Sequence, residues 1–224
     1  MTKDITIVEG ERWLAVAKPA GLPCFPPHGD AAGDCVLARL LLARPAQGAQ
    51  RWPAHFEGGI AHRLDVPTSG MLIAARTPAD LDWLRSLFSG GELRKRYLFA
   101  TAKDVPWDTH TVVTPLAHDK RRKGRMIAQR GADTPHRGKW YPAHTEFRRM
   151  GDRMGPFSLW EATIVTGVMH QIRVHAASVG LALAGDRRYG GGAPLDPGVP
   201  FLLHHLGLSG PGLTPPVFPV PWRT

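Results

Sequence analysis

The chain has 224 residues, 43% of them apolar, enough to bury a full core in one domain with room for two lobes. Its 28 Lys and Arg against 19 Asp and Glu leave a formal net charge of +9, which points to an anionic partner, nucleic acid first, although generic basicity has the same look. No apolar run approaches membrane-spanning length, the first five residues carry no signal pattern, and Cys24 and Cys35 lie too far apart for a Cys-x-x-Cys pair. A soluble cytoplasmic protein is therefore expected, with two reduced thiols favoured over one disulfide.

In chain order, residues 5–9 and 13–17 read as a strand pair around Gly10, ending at Lys18-Pro19. Asp34 suits the N-cap of a helix that runs through Leu42 and is closed by Pro45. Residues 45–59, rich in Pro, Gly and Gln, read as loop. Next comes Asp65, at a turn between two strand-like flanks, and the apolar run Met71-Leu72-Ile73-Ala74-Ala75 reads as a buried strand. Thr77 and Pro78 fit the cap and first position of a helix whose apolar face is Leu81, Leu84, Leu87 and Phe88. Residues 95–102 alternate as a strand. Residues 105–143 are rich in Pro, Gly, His and basic side chains, most densely over 120–125. Residues 157–165 read as a strand. A helix begins near His170, with Ile172, Ala176 and Val179 on one face and Gly180 as its C-terminal cap. The last sixteen residues read as a wrapping tail. The class expected is α+β, a single catalytic domain over 1–224 with a curved, mostly antiparallel mixed sheet flanked by helices and loops.

Asp65 is the first candidate for chemistry. A carboxylate at a turn between ordered segments can project into a cleft from a rigid mount. It can equally be a turn-capping acid paired with Arg63. Tyr97, in an alternating strand, fits half-buried packing as well as an active-site role. Arg173 reads as a helix arginine and Leu203 as a core leucine. Lys120, Arg121, Arg122 and Lys123 could contact phosphate or simply be solvated.

The tract His62-Arg63-Leu64-Asp65-Val66-Pro67-Thr68-Ser69-Gly70 resembles the central motif of the RluA-type RNA pseudouridine synthases. Lys18-Pro19-Ala20-Gly21-Leu22-Pro23 is similar to that family's N-terminal segment, and Lys95-Arg96-Tyr97-Leu98-Phe99-Ala100 to its tyrosine-bearing strand. Thr166-Gly167-Val168-Met169-His170-Gln171-Ile172-Arg173-Val174-His175 and Leu203-His204 resemble its C-terminal blocks. Order and spacing together make the match specific.

The resemblance implies the pseudouridine synthase fold and conversion of RNA uridine to pseudouridine, in ribosomal or transfer RNA. The base is detached from the sugar, rotated and rejoined through carbon, after the nucleotide flips out of its stack. Asp65 would be the essential carboxylate, as nucleophile or as base. Tyr97 would stack on the base and take or relay a proton. Arg173 would be the arginine that pairs with the catalytic acid and keeps it ionised. His62 and Arg63 would contact RNA, Arg63 filling the space the flipped nucleotide leaves. Leu203 would pack on the base. Relatives commonly carry an arginine where this chain has Val168, which bears on substrate grip more than on chemistry. The early Lys18-Pro19 leaves no room for an N-terminal accessory RNA-binding domain, so the catalytic domain itself, with the 120–123 run, is expected to hold RNA. A monomer is expected.

No cofactor is implied. The eleven histidines do not make a metal site: His170 and His175 diverge on a helix, and His204 and His205 are adjacent. Ser69 stands outside a Gly-x-Ser-x-Gly elbow. A catalytically inactive RNA-binding protein of the same fold is the alternative. A glycosidic hydrolase would ask for a second carboxylate close to Asp65, and none lies near in sequence.

Overall fold

A computed structural model describes residues 5–27, 30, 33–193 and 201–222. Most of the first five residues, read above as lacking a signal, and the last two of the tail lie outside that set. In chain order the elements are β1 (Ile7–Glu9), β2 (Trp13–Lys18), α1 (Val36–Ala43), α2 (Pro45–Gly48), a 3-10 turn (Glu57–Gly59), β3 (Ser69–Ala75) and α3 (Pro78–Ser89). There follow β4 (Arg94–Thr101), β5 (Thr109–Val112), β6 (Leu116–Asp119), β7 (Met126–Ala128), β8 (His136–Tyr141), β9 (Thr145–Met154), β10 (Phe157–Ile164), α4 (Gln171–Ser178) and β11 (Leu203–Ser209). The chain divides into two compact units, one of residues up to Leu93 plus the segment from His204 to Trp222, the other from Arg94 to Leu203.

In the first unit β1 and β3 both pair antiparallel with β2, and β11 joins β3 in parallel through His204↔Ser69 and His205↔Gly70. The sheet is thus mixed. Every residue of β3 is buried. Met71, Ile73 and Ala75 share a core with Ala15 of β2, Leu208 of β11, and the α3 leucines 81, 84 and 87. Burying three leucines from one helix face contributes roughly 5–8 kcal/mol as an upper value. Thr77 caps α3 by accepting the Asp80 N–H at 3.2 Å, with Pro78 in the first turn, as its sequence predicts. The tail adds Leu213 and Phe218 to the same core.

Three expectations in this unit are corrected. The N-cap of α1 is Cys35, whose Sγ accepts the Ala38 N–H at 3.3 Å, because the Asp34 carboxylate is held by Arg39 at 2.8 and 2.5 Å. The 45–59 loop contains α2 and the 3-10 turn, and buried Gln47 of α2 donates to Gly58 O and Ala75 O at 3.0 and 2.7 Å. The upstream flank of Asp65 is irregular backbone with one bridge, Ile60↔Ala74, instead of a strand. Cys24 and Cys35 are buried and free.

In the second unit β4, β10, β9 and β5 form successive antiparallel pairs. A separate three-stranded antiparallel sheet has β6 at its centre, between β7 and β8. Neither β9 nor this small sheet stands out in the sequence. Helix α4 departs from an amphipathic pattern: Gln171 to Ala176 are all buried, Arg173 and His175 included. Among the described residues no helix is long and apolar enough to cross a membrane.

Gly70 sits at φ +117° where β11 crosses closest, and a Cβ there would lie 2.2 Å from His205 O. Gly91 has φ +68° but open space around it. Gly70→Ala is expected to lose more than about 2 kcal/mol of stability, against about 1 kcal/mol for Gly91→Ala, in urea titrations of the two variants.

Candidate active site

The Asp65 loop is built by hydrogen bonds to its backbone from the segment after β2. Thr68 N–H closes the turn on Asp65 O at 3.0 Å. Lys18, 2% exposed, donates its ammonium protons to Val66 O at 2.8 Å, Thr68 O at 2.7 Å and Pro19 O at 3.1 Å. Gly21 N–H adds a bond to Val66 O at 2.9 Å. On the other side, Cys24 Sγ accepts from Leu64 N–H and donates to Leu64 O, both at 3.4 Å. The residues either side of Asp65 are thereby fixed while Asp65 itself is half-buried. Burial pushes Lys18 down to about 8, the negative charge of Asp65 opposing the shift. Burial likewise raises Cys24, so it stays a neutral thiol suited to this double bond.

Strand β3 is braced where it leaves the loop. Ser69 Oγ meets His204 Nδ1 at 2.9 Å, and His205 Nδ1 bonds Met71 O at 2.5 Å. Burial pushes His204 down to about 4, keeping the ring neutral beside the Ser69 hydroxyl. His62 accepts the Ile73 N–H on Nε2 at 3.2 Å and lies 5.5 Å from the rings of Phe88 and His205. Arg63, its neighbour, is exposed. Of the sequence candidates, this unit brings together His62, Arg63 and Asp65.

The second unit carries Tyr97, Arg173, Leu203 and the basic run. Tyr97 lies on β4 opposite Ala162 and is 7% exposed. Arg173 on α4 forms a two-point pair with Asp186, Nε to Oδ2 at 2.7 Å and Nη2 to Oδ1 at 3.0 Å. Its guanidinium also lies over the rings of Phe201, at 4.5 Å, and Tyr189, at 5.1 Å. Such a pair at 6% and 1% exposure fixes the plane of the guanidinium.

The rest of α4 is held as tightly. His170, before it, has a left-handed φ of 56°, and its Nδ1 is hydrogen-bonded with the Tyr189 hydroxyl at 2.8 Å, while that hydroxyl oxygen accepts the Met126 N–H at 3.0 Å. Gln171 Oε1 accepts from Thr166 Oγ1 and Val168 N–H, and its Nε2 donates to His144 O and Thr145 Oγ1. His175 bonds Thr145 Oγ1 and Thr114 O, both at 2.8 Å, and burial lowers its pKa. Val168 packs on the core of Leu116, Met126, Ala143, Val174 and Tyr189.

Leu203 is 4% exposed, which favours its reading as a core side chain. Lys120, Arg121, Arg122 and Lys123 are exposed on the turn between β6 and β7, where Asp119 Oδ1 accepts the N–H groups of Arg121 and Arg122 at 2.8 and 3.3 Å. No group of three or more metal-ligating side chains occurs among the described residues. Sequence reasoning missed Cys24, Gln171 and Asp186 as individual contributors and held Lys18 only as part of a segment. For Lys18 the signal was there, a lysine closing an apolar strand ahead of Pro-x-Gly. For Cys24 there was none.

A family model described as RNA pseudouridylate synthase matches residues 12–178. Among curated proteins, an uncharacterized RNA pseudouridine synthase of Chloroflexus aurantiacus is 37% identical over 175 residues, 77% of this chain and 50% of that protein. RNA pseudouridine synthase 7 of Arabidopsis thaliana is 39% identical over 194 residues, 84% and 46% of the two chains. Ribosomal large subunit pseudouridine synthase D of Zymomonas mobilis is 33% identical over 185 residues, 82% and 55%. The chain thus spans about half the length of the curated relatives it matches. The solved structure of human RNA pseudouridylate synthase domain containing 1 shares the fold, with a TM-score of 0.71 at 20% identity over 93% of this chain and 79% of that one.

Lys18→Met would leave Thr68 O and Pro19 O without the ammonium, while Val66 O keeps Gly21. A loss of roughly 2–4 kcal/mol is expected in urea melts. The folded lysine at about 8 holds its proton less tightly than an ordinary lysine at 10.5, so stability should rise with pH across that window in the parent chain. The same rise in Lys18→Met would show that Lys18 does not titrate there. On motif, family model and fold together, the chain belongs to the RNA pseudouridylate synthase family, with the motifs of its RluA-type members.

Proposed function

We propose that this chain isomerises uridine to pseudouridine in RNA, without a cofactor. The observation that carries the reading is the Asp65 loop: its neighbours Leu64, Val66 and Thr68 are each bonded by a buried side chain, and the carboxylate is left on a rigid mount. A solvated turn acid has no need of such a mount. Asp65 supplies the carboxylate that attacks or deprotonates. Tyr97 takes or relays the proton from the new carbon junction, and Arg173, oriented by Asp186, provides the fixed positive charge. Exposed Arg63 enters the RNA stack as the base leaves, with His62 bracing the strand behind it. Several relatives are named for the large ribosomal subunit, which makes ribosomal RNA the first substrate to test.

The direct test is to map pseudouridine in RNA treated with purified protein. Asp65→Asn is nearly isosteric and should lower single-turnover rate by at least about 10³-fold with RNA affinity unchanged. Tyr97→Phe keeps the ring and should lower it by about 10²-fold. Release of free uracil in place of the isomer would show a hydrolase. Retained turnover in Asp65→Asn would remove Asp65 from the chemistry.

The exposed 120–123 turn is the proposed phosphate contact. Changing Lys120, Arg121, Arg122 and Lys123 to Gln together should reduce the log–log salt slope of RNA binding by about 3 and weaken all RNAs alike. An unchanged slope would take the turn out of the binding surface.

A further inference from the structure

Strand β8 contains a ring stack that a regular strand cannot make. Residues four apart in an extended strand stand about 13 Å from each other. Yet the rings of His136 and Trp140 lie 4.4 Å apart at 36°. The cause is a bulge: Leu116 pairs with Tyr141 and His118 with Arg137, so two steps on β6 face four on β8. Gly138, at φ +72° with open space around it, makes the bend. Bulges of this kind re-aim side chains near functional sites. His136 Nδ1 is further fixed on Thr134 O at 3.0 Å.

The stacked pair is half-buried, and it stands among cations. Arg137, Gly138 and Lys139 are exposed, and Lys139 Nζ lies 5.1 Å from the Tyr141 ring. Asp119 pairs with His136, so the 120–125 turn leaves β6 at the end of the sheet where β8 begins. Strand β8 has β6 as its ladder partner, and among the described residues nothing pairs with its other side. Asp119, which pairs with His136, is engaged by its own turn, and Asp133 is the one carboxylate in the loop that leads into β8.

We propose that the three-stranded sheet is a docking surface for single-stranded RNA. One unpaired base stacks on the Trp140–His136 pair, and the phosphates either side of it meet Arg137, Lys139 and the 120–123 turn. Stacking is sequence-tolerant and needs an unpaired base, whereas the cations read only the backbone. The surface therefore selects a strand with unpaired bases. This rests on the reading of the chain as an RNA-acting enzyme and adds to it which form of RNA is held.

The test is binding of a labelled ten-nucleotide oligocytidine, which contains no uridine to react, against a blunt RNA duplex of ten pairs. Trp140→Ala should weaken oligocytidine binding roughly 5- to 150-fold without changing the salt slope and leave duplex binding as it was. Trp140→Phe should stay within about 3-fold of the parent. Trp140→Leu, which keeps apolar bulk for folding, should lose as much as alanine, with thermal melts confirming that each variant is folded. Arg137→Gln with Lys139→Gln should lower the slope by about 1.4. Unchanged oligocytidine affinity in Trp140→Leu, or equal loss on duplex, overturns the proposal. Failure of the synthase reading would look different, as absent pseudouridine with this binding pattern intact.

Discussion

A buried ammonium organises the Asp65 loop. Lys18 is 2% exposed and gives its protons to three backbone carbonyls, two of them within the turn that carries Asp65. Desolvating a charged lysine is unfavourable, and its downward shift to about 8 records that cost. The resulting geometry is specific: carbonyl oxygens that would otherwise seek water are turned inward, toward the end of β2, and the backbone that carries Asp65 is fixed from beneath. A hydrophobic residue at position 18 could fill the volume but could not orient three carbonyls.

The same strategy recurs around α4. Arg173, Gln171 and His175 are buried polar side chains on one short helix, bonded to partners distant in sequence: Arg173 to Asp186, Gln171 and His175 both to Thr145, and His175 also to Thr114. Buried polar networks are weak contributors to net stability when replaced whole, yet costly when broken singly. They therefore act as geometric constraints, and the family's motif positions are where this chain concentrates them.

This explains what could be read in advance. Helix α3 was legible because its cap, its proline and its leucines all follow local rules. The Asp65 motif was legible as a string, but the mount beneath it was not, since Lys18 and Cys24 lie far upstream and act on backbone atoms that any residue has. Asp34 was a sound N-cap by composition and lost the role to Cys35 because Arg39, just over a turn along, competes for its carboxylate. The strand β9 was hidden by its polar run Arg148-Arg149-Met150-Gly151-Asp152-Arg153, none of which is buried, since only Thr145 and Phe147 at the strand's start face the core. The small sheet escaped for a related reason: its strands are three to six residues long, with much of their surface open.

Val168 shows what local packing gains from an apolar side chain ahead of α4. Where relatives commonly place an arginine, this chain has a side chain that joins Leu116, Met126, Ala143, Val174 and Tyr189 in an apolar cluster. That cluster seats the small sheet on α4: Leu116 and Met126 come from β6 and β7, and Val174 from the helix. An arginine in the same position would have to carry its charge out past this core. The valine instead tightens the base from which the 120–125 turn and strand β8 project.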